Sequence, residues 1–202
     1  MRVAHVVSDD IAPEHLRTLS VLARAGGSES LAVVDHGSPL RQWLANGGLV
    51  TECAALSPRT RRRPAFQALT DLFWERNLDA VHIHGAAVAP LAVVAARWLD
   101  LPIVFTPALA DSAPVRRPLR QRIASFLGRD VVRRADGIML IDSQGEAASF
   151  APGGRPDRPL LRVAPSADPA LAVARYRDLL ARIDARIGRV AVAAPRARPQ
   201  AA

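Results

Sequence analysis

Lysine is absent from the 202 residues, so all 27 basic side chains are arginines. Against 19 acidic residues they leave a formal charge of +8. The planar guanidinium fork favours two-point contact with phosphate or carboxylate over a simple point-charge attraction. A GC-rich genome would produce the same Arg- and Ala-rich composition, and both accounts stay open. Cysteine is nearly absent too. Cys53 stands alone, which excludes an internal disulfide and a cysteine-rich zinc site and points to a reducing cytoplasm. Aromatic residues make up only 4% of a chain that is 50% hydrophobic, so the core must be built from Ala, Val, Leu and Ile, which suits buried parallel strands. No apolar run approaches the roughly 20 residues of a membrane span, and no long apolar segment precedes the first strand. The chain therefore reads as soluble or as resting on a membrane surface. A P-loop, a G-x-G-x-x-G turn and a nucleophile elbow are all missing, which removes support for nucleotide-triphosphatase, NAD-dehydrogenase and serine-hydrolase readings. No internal repeat is visible.

What is present is an alternation of short apolar runs and amphipathic segments. Arg2 to Ser8 reads as a buried strand, and Pro13 is placed to open a helix through Leu16, Leu19 and Leu22 to Gly26 and Gly27. Leu31 to Asp35 is a second strand. Ser38 and Pro39 cap a short helix through Leu40, Trp43 and Leu44 that stops at Gly47, and Leu49 to Ala54 is a third strand. Arg59 to Arg63 forms a basic loop ahead of Pro64, and the next helix carries Phe66, Leu69, Leu72 and Phe73 on one face. Asp79 to Asp111 then gives a strand ending in His82, Ile83, His84 and Gly85, an Ala/Val/Leu helix, and a strand from Leu101 to Thr106. A crossover helix forces these two strands to be parallel. Next comes a helix, Arg116 to Arg134, with arginines on one side and Leu119, Ile123, Phe126 and Leu127 on the other. Gly137 to Asp142 and Leu160 to Ala164 are further strands. A final helix from Pro169 places Tyr176, Leu179, Leu180, Ile183 and Ile187 on one face, and an Ala/Pro/Arg tail follows. The pattern predicts an α/β fold with one Rossmann-like, doubly wound parallel sheet over residues 1–168, a C-terminal helix over 169–187 and a disordered tail over 188–202.

Ligands of such sheets sit off the carboxyl ends of the strands. His84, Gly85 and Thr106 lie there, as do Asp9 and Asp10 after the first strand and Asp111 after the fifth. Asp9 and Asp10 are placed for acid/base work or for binding sugar hydroxyls, or equally to cap the next helix. Asp111 suits an acceptor hydroxyl, although a helix cap or turn explains it better. Arg62, within the basic loop, is placed to meet a phosphate of a lipid-linked or anionic acceptor, or equally to lie in a solvated loop. His82 and His84 alternate with Val81 and Ile83 and so share one face of their strand. Two imidazoles without a third ligand do not make a zinc site, so no metal is expected; His82 reads as core, and His84, at the crevice edge, either contacts a ligand or is packed and hydrogen-bonded under a helix. Ser143 and Glu146 match a capping box.

Several segments in order resemble the N-terminal domain of family-4-like retaining glycosyltransferases of the GT-B fold. They are the opening RVAHVVS, DAVHIHG with its Ala-rich helix and LPIVFTP, ADGIMLIDSQGEAASF, and LRVAPSADP. The resemblance spans roughly residues 1 to 169. It implies an acceptor-side Rossmann domain whose nucleotide-sugar donor is held by a second domain, with the final helix, ARYRDLLARI, similar to the one that crosses back onto the N-terminal domain. Three positions depart from the family pattern. Asp9-Asp10-Ile11-Ala12-Pro13 stands where a Gly-Gly loop is expected, Ala108 where a histidine is expected, and Ser166–Ala167 where Asn-Gly is expected.

The expectation is thus an acceptor-side glycosyltransferase domain or subunit for polysaccharide or glycolipid synthesis. It would take no cofactor itself and would meet its nucleotide-sugar donor only through a partner donor domain. The alternative is a non-catalytic relative that scaffolds a partner or a membrane. Arginines on one side of an apolar helix suit an anionic membrane surface or a lipid-linked acceptor, which would place a cytoplasmic chain at the inner face of the membrane; packing of the apolar face on the sheet is the other reading. Nucleic acid is disfavoured because no aromatic stacking residues lie among the arginines.

Overall fold

The computed structural model describes residues 1–9, 11, 13–25, 30–54, 56, 62–85, 87–107, 130–141, 158–164 and 166–188, with only the backbone described at 13, 14, 23–25 and 62. Seven parallel strands form one sheet in the order β3-β2-β1-β4-β5-β6-β7. In chain order these are β1 (Val3–Val7), β2 (Leu31–Asp35), β3 (Val50–Ala54), β4 (Ala80–His84), β5 (Ile103–Thr106), β6 (Gly137–Ile141) and β7 (Leu160–Val163). The helices are α1 (Pro13–Ala25), α2 (Leu40–Asn46), α3 (Arg62–Glu75), α4 (Ala89–Trp98) and α5 (Pro169–Ile187). Residues 130–134 are also helical. This is the expected α/β, Rossmann-like sheet.

Period-two alternation divides the strand side chains between two cores. Ala4, Val6, Val81, Ile83, Ile103, Phe105, Ile138 and Leu140 pack with α3 and α4 on one face. On the other, Val7, Ala32 and Val34 pack under Leu16 and Leu19 of α1 and Leu44 of α2. Val104, Met139, Ile141 and Val163 pack under Tyr176, Leu179, Leu180 and Ile183 of α5. Helix α5 thus returns to the α1 side, where Leu22 joins the same cluster.

Local chemistry sets the element ends. The Asp168 carboxylate accepts from Ala170 N at 2.9 Å, Pro169 opens α5, and Gly188 closes it at φ 70°. Ser38 Oγ accepts from Leu40 N at 3.1 Å, so the expected cap of α2 is in place beside Pro39. Two expectations are corrected. Arg62 and Arg63 belong to the first turn of α3 rather than to a loop, and Pro64 falls inside that turn, where a missing N–H costs nothing. Ile187 is 37% exposed and does not join the buried face of α5. The Ser143–Glu146 capping box, most of the Arg116–Arg134 helix and the tail beyond 188 lie outside the described residues. Among the described residues no helix is long and apolar enough to cross a membrane.

Candidate functional site

The strand order reverses direction between β1 and β4, which makes the carboxyl ends of these two strands the switch point where open α/β sheets leave a crevice. Ser8 N donates to His84 O at 3.0 Å, joining the two ends. Beside them Gly85 N donates to Thr106 O at 3.0 Å. Gly85 has φ 89°, a left-handed conformation that lets the chain turn away from the sheet directly after His84. Asp9 is exposed at the end of β1, and its Oδ1 accepts from Ser38 Oγ at 2.5 Å. That bond ties the β1 end to the start of α2. Asp35 accepts from Leu56 N at 2.7 Å and so holds the chain beyond β3.

Beneath this edge lies a layer of histidines. His5 and His82 are the third residues of their strands and pair in register, while His84 lies opposite Val7 and Thr106. All three imidazoles point away from the α3/α4 core, since their strand neighbours Val81 and Ile83 fill it. His5 Nδ1 and His84 Nε2 are 3.1 Å apart. His82 Nδ1 meets the Tyr176 hydroxyl at 2.9 Å, and its Nε2 meets Thr106 Oγ1 at 2.8 Å. The His82 and His84 ring centres are 3.9 Å apart. One nitrogen each from His5, His82 and His84 falls within 4.8 Å of the other two. His5 Nε2 and His84 Nδ1 have no hydrogen-bond partner among the described residues.

Burial holds all three imidazoles in the neutral form. It pushes His5 down to about 3 from the ordinary 6.5. His82 is lowered by burial, then by the neighbouring His84 and His5, and His84 by burial, then by His5 and His15. Burial also raises the Tyr176 phenol above its ordinary range. Each ring therefore offers one N–H donor and one lone pair at neutral pH.

The sequence-predicted residues fall into three groups. His84, Gly85 and Thr106 come together with Asp9 near the switch point, but His84 and Thr106 are only 1% exposed and lie below the surface of the edge. Arg62 starts α3, its side chain outside the described residues. Asp10, Asp111 and Ala108 also lie outside them. His5 and Tyr176 join the site only in the folded chain. Tyr176 is the only tyrosine of the chain and read simply as part of an apolar helix face. The reading of His82 and His84 as two imidazoles lacking a third is corrected by His5. A signal existed, because a Rossmann order sets the first and fourth strands side by side, and His5 and His82 hold equivalent places in them.

Comparison with solved structures extends the likeness beyond the edge. Alr3699/HepE of Anabaena, solved in complex with UDP, superposes with a TM-score of 0.63 at 15% identity, over 83% of this chain and 45% of that one. UDP-GlcNAc 2-epimerase from Neisseria meningitidis gives 0.57 at 14% identity, over 93% and 54%. MurG of Acinetobacter baumannii gives 0.54 at 12% identity, over 81% and 44%. At these identities the likeness is one of fold, the GT-B half with its Rossmann-like sheet, and the chain spans about half the length of each. No curated protein matches. The model of the glycosyl transferase 4-like domain matches residues 14–165, from α1 to just past β7 and including the β4 and β5 ends of the edge, so the chain belongs to the glycosyl transferase 4-like domain family.

Proposed function

We propose that this domain binds the acceptor in sugar transfer for polysaccharide or glycolipid synthesis, with the nucleotide-sugar donor supplied by a second domain. The observation that carries the reading is the switch point, where Asp9, Gly85 and the Ser38 hydroxyl lie at the ends of β1, β4 and β2 in a glycosyl transferase 4-like domain. In this reading Asp9 binds acceptor hydroxyls, with Ser38 fixing its carboxylate. His84 and Thr106 act from below by holding the floor of the crevice. Arg62, Asp10 and Asp111 are assigned to the acceptor on sequence grounds. The acceptor in this reading is lipid-linked or otherwise anionic, met in the cytoplasm at the inner face of the membrane; the all-arginine positive charge of the chain supports it.

The test is a titration of the chain with UDP, the nucleotide bound by the Anabaena neighbour, and with UDP-sugars, alone and with donor-domain proteins encoded beside it. Labelled sugar transfer is followed in the same mixtures. The reading expects transfer only when a donor domain is present, and a marked fall in transfer for Asp9→Asn at unchanged circular dichroism. Silence with every partner overturns it. A second reading, a non-catalytic scaffold, is favoured by the burial of His84 and Thr106, and predicts a stable partner complex without sugar-nucleotide affinity.

A further inference from the structure

We propose that His5, His82 and His84 form a binding site for a divalent transition-metal ion of the zinc type, held inside the sheet on the side of α1 and α5. The argument is independent of sugar transfer. Three imidazoles from two adjacent strands bring one nitrogen each within 4.8 Å of one another. The 3.1 Å between His5 Nδ1 and His84 Nε2 is close to the edge of a tetrahedron with zinc–nitrogen bonds of about 2.0–2.1 Å, which is roughly 3.3 Å. The ion therefore takes the place of the proton that otherwise bridges these two nitrogens. That proton moves to the far nitrogen of the ring that carries it, His5 Nε2 or His84 Nδ1, so binding needs a change of tautomer and no net loss of a proton from the rings.

His82 completes the set. Its two nitrogens face two hydroxyls, Tyr176 at 2.9 Å and Thr106 at 2.8 Å. Whichever nitrogen turns to the ion, the other keeps a hydroxyl acceptor, the outer support that metal-bound histidines require. Donor chemistry sets the ion: all three ligands are imidazole nitrogens, which suit zinc, cobalt, nickel and copper(II), whereas calcium and magnesium demand oxygen. Exposures of 0%, 0% and 1% for the three histidines mean that the ion enters as the sheet forms, not by diffusion into the finished fold.

The test uses the full chain without a histidine tag, refolded from urea with Co²⁺ or Zn²⁺, passed through chelating resin and analysed for bound metal. The expected result is one equivalent of retained ion, the visible bands of tetrahedral Co²⁺, and a raised Tm. His5→Gln and His84→Gln each abolish retention, Tyr176→Phe weakens it by about ten- to a hundred-fold, and His36→Gln, at an exposed position, leaves it intact. Wild-type chain that refolds to its native circular dichroism without retaining metal overturns the proposal, whatever the variants do. So does cobalt that is retained but lost in His36→Gln.

Discussion

A buried imidazole is tolerable only while it stays neutral and finds partners, and His5, His82 and His84 test both conditions. Between the ordinary value of 6.5 and a folded value of about 3 for His5, the unfolded chain binds protons that the folded chain refuses. Stability is therefore full above about pH 6.5 and falls as the pH drops through this window. Urea unfolding of the metal-free chain should show a midpoint that declines already between pH 6.5 and 5, where most carboxylates have yet to titrate. A flat midpoint over that range would contradict the burial. Tyr176→Phe removes the hydroxyl from His82 Nδ1 and leaves a buried ring nitrogen without a partner, at a cost of about 1–3 kcal/mol by urea unfolding. Sequence periodicity was enough to set His82 and His84 on one face. It did not reveal His5, because side-chain contact between strands depends on which strands pair and in what register.

At the level of elements, the packing of α5 on the sheet rests on Gly137. A Cβ there would overlap the side chain of Ile183, which is fully buried, and would lie 3.4 Å from Leu179 Cδ1. Gly137→Ala should therefore cost about 1–3 kcal/mol through overpacking, and Gly137→Ala with Ile183→Val should recover part of it in the same unfolding assay. The start of α5 was fully legible: Asp168 followed by Pro169 is a cap and a first turn in sequence and in space. Asp168→Ala is expected to cost about 0.5–2 kcal/mol. The start of α3 lies two residues before Pro64, which the sequence pattern marks as its first residue. Proline tolerates any position of the first turn, where N–H groups have no acceptor in the helix, so it marks a start only to within a turn.

For the whole molecule, α5 is a structural member of the sheet and not an appendage. Tyr176, Leu179, Leu180 and Ile183 are all buried against β5, β6 and β7. At about 1.5–3 kcal/mol for each large side chain they contribute roughly 6–12 kcal/mol, comparable with the total of about 5–15 kcal/mol that keeps a domain folded. A chain ending at Asp168 should accordingly bind a hydrophobic dye and lose its cooperative thermal transition; a sharp native-like transition would show that the sheet closes without the helix. The sequence by itself determined the alternation of strands and helices, the parallel sheet and the family, because each follows from local periodicity and from short ordered motifs. Only the tertiary structure decided that Tyr176 meets His82 from 94 residues away, and that His5 stands against His84. Strand order and register are set by the burial of the whole sheet, and no local segment carries that information.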